Sequence, residues 1–545
     1  MTDTNNTDEV VRSGAPNPHT GQYETKVTLT LTNDTRQKVV LLRGNKVIPV
    51  IFVPGIMGTN LKVAGGSDIA WRPPNMDGVG SVAGALAQLL SYLFKDSADR
   101  QRELSVAKTE VDDRGGIDVS GSGITEVLAR QRGWGKLMRS AYHPVMCKLQ
   151  AELAEIVTDG GSRLGAWWSE HGKDVPADWG DTKGNAALTL DELKHAAHFS
   201  YDVWSGGYNW LQSNRDSGAA IGALIDNVIV PHYQEQKREV AKVVVVTHSM
   251  GGLVARALAC ITQHPMVAGV VHGVQPATGA AGTYKRMRAG FEGVEQVMLG
   301  RNAGEVTAVC CNAYGPLELL PTADYNEGKP WLKVRDVQTG SEPLALPASG
   351  DPYSEIYATD KWYGMVPKAN EKWLDPAKMV NIGEEQTYRS LLSKRIEQVK
   401  AFHEAIKGEY HSETYAHFGA DTEMKAWGEV VWAGQKLNTF NPDTAIVAED
   451  DENGKLWLQG GICLEIADPE SPGDGTVPLT SASAPGRAGV KASFEHGRGA
   501  PAAAPALHNN VKGYDHQGSY NDKAGRSLFA TLYGIVRCAQ AVSIQ

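Results

Sequence analysis

One short stretch of the sequence decides the fold: residues 243–254 read VVVVTHSMGGLV. Four successive valines are typical of a parallel strand that is buried on both faces. The apolar residues after Gly251 have the spacing of a helix. Ser249 lies between the two patterns. The stretch therefore predicts a strand, a sharp turn that presents a serine hydroxyl, and a helix.

The same alternation recurs on either side of this stretch. Residues 47–53 (VIPVIFV) and 267–274 are further apolar runs of strand length, and helical patterns occupy 219–229 and 252–261. Strands that alternate with helices indicate a parallel sheet wound by right-handed crossovers. We therefore expect an α/β fold with a mostly parallel central sheet that is flanked by helices.

The rest of the chain is assigned to a leader and two insertions. Residues 1–22 are rich in Thr, Asn, Asp, Gly and Pro, so a mobile leader is expected before a folded domain over 23–545. Residues 62–197 and 278–456 show helical patterns without a comparable series of strands, which predicts large helical cap or lid insertions. Ten of the thirteen tryptophans lie in these insertions. Since aromatic side chains are usually buried, we expect them to form the cap cores more than to contact acyl chains.

Composition and charge exclude several classes of protein. A net charge of −10 offers no long-range attraction to nucleic acid, so no nucleic-acid partner is expected. The six cysteines include no C-x-x-C pair, and no metal or cofactor is predicted. The first residues, MTDTNNTDEV, lack the basic and apolar regions of a secretory signal. We therefore expect a protein that is made in the cytoplasm and is not exported by the general route.

Two distant loops supply an acid and a base for the serine. A serine hydroxyl becomes a nucleophile only when a base removes its proton. Asp474 lies between two glycines in SPGDGTVP, and His516 lies in GYDHQG before the predicted last helix. Their order matches that of the α/β-hydrolase triad. The sequence predicts Ser249 as nucleophile, Asp474 as orienting acid and His516 as base, with His508 as the alternative base.

The turn around the serine departs from the usual G-x-S-x-G motif, because Thr247 replaces the first glycine. Its larger side chain would fit if Gly251 or Gly252 faces it. Ser249 should then have a strained backbone conformation at the end of the strand. A relaxed helical serine would instead favour an ordinary helix start.

Three motifs together resemble the lecithin:cholesterol acyltransferase-like lipases of the α/β-hydrolase superfamily: PVIFVPGIMG at 49–58, THSMGG at 247–252 and GDGTVP at 473–478. More narrowly, the sequence is similar to bacterial lipase effectors of type VI secretion systems. This resemblance implies an oxyanion hole formed by the backbone N–H groups of Ile56 and Met250. It also implies a lipid or phospholipid substrate at a membrane surface, delivery into target cells by the secretion apparatus, and an immunity protein as partner.

We therefore expect a serine hydrolase that cleaves acyl esters of lipids, as a lipase or phospholipase, through an acyl-serine intermediate. A carboxylesterase or acyltransferase for small soluble esters would use the same triad, and a series of acyl-chain lengths would distinguish it. A binding protein without catalytic activity on a hydrolase fold is the second alternative. Failure of a fluorophosphonate probe to label Ser249 would favour that alternative.

Overall fold

The fold is described here from a computed structural model. It describes residues 9–13, 15–17, 19, 23–24, 37–41, 45–73, 95–158, 163–292, 300–380, 386–497 and 512–544. The alternative base His508 lies outside these residues.

A seven-stranded sheet forms the centre of the fold, and all its strand pairs are parallel. Its strands are β1 (Lys46–Val53), β2 (Ser200–Ser205), β3 (Glu239–Val240), β4 (Val243–His248), β5 (Val267–Gly273), β6 (Thr414–Gly419) and β7 (Ala492–His496). The spatial order is β2-β1-β4-β5-β6-β7, and β3 also pairs with the start of β1. The expectation of a mostly parallel central sheet is confirmed.

The central strands are apolar throughout because both faces of the sheet are covered. On β1, Val47 and Ile51 enter one hydrophobic core, while Ile48 and Val50 enter the core on the opposite face. The four valines of β4 divide between the same two cores and are fully buried. Successive side chains of a strand point to opposite faces, so an uninterrupted apolar run fits this position.

Helices cover the two faces of the sheet and build the insertions. In the part of the chain that the structure describes, the α-helices are Ser97–Glu103, Glu126–Gln131, Arg139–Ala154, Ala166–His171, Leu190–Ala196, Asn214–Leu224, Val230–Glu235, Gly251–Arg256, Ala281–Ala289, Ala303–Cys310, Tyr314–Leu317, Tyr388–Ile406, Leu479–Ala482, Ala484–Arg487 and Arg526–Gln540. Short π-helical segments are Ile225–Ile229, Ala257–Ile261 and Tyr353–Tyr357, and 3-10 turns are Val106–Lys108, Trp134–Lys136, Pro176–Trp179, Tyr325–Gly328, Lys368–Leu374, Leu437–Thr439 and Ser519–Asn521. Within the described ranges, no helix has the length and apolar character needed to cross a membrane.

Part of the expected leader, residues 1–22, is paired in short strands. Glu9–Ser13 pairs in parallel with Gln37–Leu41, and Ala15–Pro16 pairs antiparallel with Tyr23–Glu24. The boundary expected at residue 22 therefore separates strands that pair with each other. Mobility of the leader stays a prediction.

In the described part of the expected first insertion, 62–197, helices are the main regular structure. It begins with a three-stranded antiparallel sheet of Leu61–Val63, Ile69–Trp71 and Thr109–Val111. A short antiparallel pair, Val157–Thr158 with Arg163–Leu164, follows the helix Arg139–Ala154.

The second insertion differs from the helical cap that was expected over 278–456. It contains a six-stranded mixed sheet, here called the cap sheet, and it extends past residue 456, because the strand Ile462–Ile466 belongs to that sheet. The strand order is Leu344–Leu346, Leu332–Asp336, Val430–Gly434, Ile462–Ile466, Lys455–Leu458 and Val447–Asp450. Its strands are short, and in Leu332–Asp336 buried and half-buried positions alternate, which gives a weak signal in sequence. The expected limits also cross β6, which belongs to the central sheet.

The tryptophans of the two insertions are mostly core residues, as expected. Nine of the ten are buried: Trp71, Trp134, Trp168, Trp179, Trp331, Trp362, Trp373, Trp427 and Trp432. Trp167 is partly buried against the same core as Trp168. The indole rings therefore stabilise the insertions, and two of them also line the cavity described below.

Candidate active site

Ser249 lies at the carboxyl edge of the central sheet, directly after β4. Its φ of 53° lies in the left-handed region, which is uncommon for a residue other than glycine. The Ser249 N–H donates to the carbonyl of Gly273 at the end of β5, at 2.9 Å. The helix Gly251–Arg256 begins two residues later. This is the strained strand-to-helix turn that the sequence predicts.

Thr247 fits into this turn through contacts of its own. The residue is fully buried, and its Oγ1 lies 3.1 Å from Nδ1 of His272 on the neighbouring strand. The Thr247 carbonyl accepts a hydrogen bond of 2.9 Å from the Tyr520 hydroxyl. The hydroxyl of threonine is therefore hydrogen-bonded within the sheet, which a glycine could not achieve.

Gly251 and Gly252 each lie close to a group other than the Thr247 side chain. A Cβ on Gly251 would lie 2.5 Å from the carbonyl oxygens of Val53 and Pro54, and a Cβ on Gly252 would lie 2.5 Å from the Gln275 side chain. None of these nearest atoms belongs to Thr247, and the expectation that one of the glycines accommodates the threonine stays a prediction. Gly251 instead lets the backbone after β1 approach the turn closely.

The three predicted catalytic residues form a hydrogen-bonded chain in which His516 lies between Ser249 and Asp474. Ser249 Oγ is 2.8 Å from His516 Nε2, and His516 Nδ1 is 2.7 Å from Asp474 Oδ2. The other oxygen of Asp474 accepts from the N–H groups of Thr476 at 3.0 Å and Val477 at 2.7 Å. Asp474 is buried, with 1% of its surface exposed. This arrangement can transfer the serine proton to His516 while the carboxylate holds the ring in one orientation.

Backbone contacts place the acid and the base. Asp474 follows the strand Ser471–Gly473, which pairs with Asp421–Ala426 just after β6. Gly419 at the end of β6 is needed there, because a Cβ on it would lie 2.8 Å from the Asp474 Cβ. The His516 N–H donates to the Asp474 carbonyl at 2.8 Å. Acid and base are thus connected through both their backbones and their side chains.

The predicted oxyanion residues lie on the two turns that meet at the serine. After β1, the chain turns sharply, with a 3.1 Å hydrogen bond from Gly58 N–H to the Gly55 carbonyl and a φ of 64° at Met57. Ile56 in this turn lines the cavity beside the serine. Within the described residues, the N–H groups of Ile56 and Met250 have no acceptor. Ile56 lines the cavity, whereas Met250 is fully buried and does not line it, so the oxyanion roles of the two N–H groups stay predictions.

A cavity of about 800 Å³ opens onto the serine, within the range of small-molecule sites. Its walls are mainly apolar and come from the first insertion, the turn after β1 and the second insertion. They include Ile56, Trp71, Met138, Met287, Phe291 and Trp427. Such a cavity can hold a long apolar group against the hydroxyl of the serine.

Three further residues make hydrogen bonds around the site, although the sequence assigned none of them a role; one of them, His248, lies within the THSMGG motif. The Asp421 carboxylate accepts a hydrogen bond from the N–H of Gly513, three residues before His516. Tyr142 and His248 connect the turns around the serine through hydrogen bonds. Tyr142 lies in the first insertion, 106 residues before His248, so only the fold brings it to the site. Asp421 lies two residues after β6, but β6 (TYAHFG) is not an uninterrupted apolar run, so no sequence signal pointed to this residue.

Burial is the main cause of the lowered pKa values of three histidines on neighbouring strands of the central sheet, His248, His272 and His417. It lowers the pKa of His248 to about 3, and it lowers the pKa values of His272 and His417 to about 3 as well. All three rings are therefore neutral at neutral pH. Among the described residues, no group of His, Cys, Asp and Glu has the arrangement of a metal site.

Fold and site together define an α/β hydrolase. The sequence profile of the PGAP1-like alpha/beta domain family matches residues 221–297, which include β4, Ser249 and β5. A chain in the crystal structure of the Tle4–Tli4 complex is 41% identical to this chain, with a TM-score of 0.83. The match covers 92% of this chain and 100% of that chain. None of the curated proteins that were compared matches the sequence.

The chain therefore belongs to the Tle4 family of type VI lipase effectors, and it is a hydrolase. The resemblance to type VI lipase effectors is confirmed. The nucleophile, the ester bond that is cleaved and the roles of single residues are proposals.

Proposed function

We propose that the chain is a serine esterase that cleaves acyl esters of phospholipids through an acyl-serine intermediate. Ser249 Oγ attacks the acyl carbonyl while His516 Nε2 takes its proton, and Asp474 orients His516 and stabilises the imidazolium. The N–H groups of Ile56 and Met250 donate to the oxygen on which negative charge develops. The alcohol then leaves with the proton from His516. Water attacks the acyl-serine with help from the same base and releases the fatty acid.

The observation that carries this proposal is the pair of short contacts through His516. Distances of 2.8 Å to Ser249 Oγ and 2.7 Å to Asp474 Oδ2 are those of a nucleophile, base and acid in hydrogen-bonded order. The positive φ of Ser249 supports the same assignment, because backbone strain of this kind is concentrated at functional sites.

The cavity supports a lipid substrate over a small soluble ester. Its volume of about 800 Å³ and its apolar walls suit a long acyl chain. A small ester would leave most of this apolar surface in contact with water. We therefore propose that longer acyl chains are hydrolysed with higher kcat/KM.

The partners follow from the family. Tle4 occurs in a complex with Tli4. We propose that this chain likewise is delivered into target cells by a type VI apparatus, and that it binds an immunity protein that blocks its hydrolytic activity. Purification with a candidate partner should give a stable complex that no longer cleaves vesicle lipids.

The test uses vesicles of mixed bacterial phospholipids and identifies the released products by mass. The parent protein should release fatty acids and lysophospholipids, and Ser249→Ala should release neither. Ser217→Ala is a matched control, because Ser217 is equally buried but lies in the helix Asn214–Leu224, away from the triad. Parent-like product release by Ser249→Ala would rule out the proposal.

A series of esters with increasing acyl length separates the alternatives. Preference for long chains and higher activity on vesicles would support the lipid esterase. Preference for the shortest esters, with no gain on vesicles, would favour the carboxylesterase for soluble substrates.

A further inference from the structure

The residue before the nucleophile, His248, contacts the loop of the catalytic base. Its side chain is buried, with 2% of the residue exposed, and its Nε2 lies 2.9 Å from the carbonyl oxygen of His516. The two imidazole rings are 5.0 Å apart. None of the steps of the proposed reaction uses His248, so its buried polar contacts call for another explanation.

The hydrogen-bond partners of His248 determine its tautomer. A backbone carbonyl only accepts, so Nε2 must carry the proton and donate it to the His516 carbonyl. Nδ1 is then an acceptor, and the hydroxyl of Tyr142, 3.2 Å away, is the donor. Since burial keeps this imidazole neutral at neutral pH, both contacts persist there.

The chain of hydrogen bonds continues into the turn of the proposed oxyanion hole. The oxygen of Tyr142 accepts from the Gly55 N–H at 3.2 Å. Gly55 also lies too close to the ring for a side chain, because a Cβ on this glycine would be 2.8 Å from His248 Nδ1 and 2.9 Å from Ser249 Cβ. The Gly55 turn, the serine turn and the base loop are therefore connected by one line of polar contacts.

These contacts hold the backbone of the base on both sides. Its N–H is bound by the Asp474 carbonyl at 2.8 Å, and its carbonyl is bound by His248 at 2.9 Å. His248 belongs to β4, and the serine follows it in the chain. The distance between nucleophile and base thus depends on a residue that is covalently attached to the nucleophile.

We propose that His248 is a positioning residue, which fixes the His516 backbone relative to Ser249 and, through Tyr142, fixes the Gly55 turn. This inference rests on the proposed function, since it assumes that Ser249 and His516 act as nucleophile and base. A displacement of about 1 Å in such a geometry costs about 10²-fold in rate.

His248→Phe keeps a ring of similar shape but removes both hydrogen bonds. We expect kcat for ester hydrolysis to fall about 10²-fold, because the base is no longer held, while KM stays close to that of the parent. His403→Phe is the matched control. His403 is also buried, with a tyrosine hydroxyl (Tyr353) at 2.9 Å from Nδ1 and a backbone carbonyl (Glu318) at 2.9 Å from Nε2. It makes the same kinds of bonds away from the triad, so its loss should lower thermal stability but not kcat.

Two further variants locate the effect. His248→Gln can place a donor where Nε2 stands, so it should recover most of the kcat that His248→Phe loses. Tyr142→Phe should lower kcat, and in the double variant with His248→Phe the two losses should be less than additive, because both break one chain of contacts. Tyr201→Phe, which removes the buried hydrogen bond from the Tyr201 hydroxyl to the Ala196 carbonyl, is the control for the loss of stability.

The outcomes separate this inference from the proposed function. If Ser249→Ala retains activity, the proposed function fails. If Ser249→Ala is inactive but His248→Phe, folded at the assay temperature, keeps the kcat of the parent, only the positioning role is overturned. Equal losses of kcat in His248→Phe and His403→Phe would also overturn it, because they would mean a general effect of buried histidines on stability.

Discussion

In the central sheet every strand pair is parallel and both faces are buried, whereas the cap sheet is mixed, with alternately buried positions along a strand such as Leu332–Asp336. The carboxyl edge of the central sheet carries the strained serine turn, and the loops beyond it carry Asp474 and His516. The second insertion, which contains the cap sheet, contributes cavity walls such as Trp427. The triad therefore depends on the central sheet, whereas part of the cavity wall depends on the cap. Substitutions around the triad should lower kcat, and substitutions in the cap should alter the preference for acyl-chain length.

The largest effect is expected at the acid of the central sheet. Asp474→Asn should lower kcat by about 10⁴-fold, because an amide no longer holds His516 in the tautomer that accepts the serine proton. Asp336→Asn in the cap sheet is the matched control. Asp336 is equally buried and accepts from the N–H groups of Leu437 and Gln338, at 2.7 and 2.8 Å. Steady-state kinetics on one long-chain ester would measure both variants. Equal losses of kcat in Asp474→Asn and Asp336→Asn would contradict the assignment of catalysis to the central sheet.

A smaller effect is expected where the turn after β1 meets the serine. Gly251→Ala would bring a methyl group to 2.5 Å from two backbone carbonyls, so the two turns must separate. We expect a loss of about 10²-fold in kcat. At Gly282, in the second insertion, the nearest atom to an added Cβ is 3.7 Å away. Gly282→Ala should therefore keep the activity of the parent, and a similar loss in both variants would refute the explanation.

The cap should control selectivity. Trp427→Ala removes a wall of the cavity, and we expect kcat/KM for long-chain esters to fall about tenfold while short esters are hydrolysed as before. Trp432→Ala removes a fully buried indole of the cap core that does not line the cavity. It should lower the unfolding temperature without changing the ratio of long-chain to short-chain activity. A changed ratio in Trp432→Ala alone would reverse these roles.

The smallest effect concerns the stability of the central sheet in acid. His248, His272 and His417 lie on β4, β5 and β6, and burial lowers the pKa of each from 6.5 to about 3. Between these pH values the unfolded chain binds protons that the folded chain does not, so folding stability falls as the pH drops from 6.5 toward 3. Each histidine should lower the free energy of unfolding by about 2 kcal/mol at pH 5, relative to its value at neutral pH.

His417 offers the cleanest test of this loss, because its two ring nitrogens have no hydrogen-bond partner among the described residues. His417→Phe should unfold at a temperature close to that of the parent at pH 7, and at a higher temperature than the parent at pH 5. If the unfolding temperature of both proteins fell equally between pH 7 and pH 5, His417 would not contribute to the loss of stability in acid.

The parts of the site that sequence predicts are those that local chemistry encodes. Apolar runs without alternation predict buried parallel strands, and Asp474 and His516 stand in loops whose glycines and order point to a triad. The cap sheet could not be predicted, because its short strands are stabilised by pairing between segments as distant as Leu332–Asp336 and Val430–Gly434. The proposed role of Tyr142 could not be predicted either, because it depends on a contact with His248, which is 106 residues away in the chain.

The central claim is that Ser249 is a nucleophile activated by His516. The most direct measurement treats the folded protein with a fluorophosphonate and maps the labelled peptide by mass. We predict one adduct, on Ser249, that forms quickly in the parent and is nearly absent in His516→Gln, because the serine then lacks its base. An adduct on another serine, or no adduct at Ser249 in a protein that still cleaves phospholipids, would contradict the account.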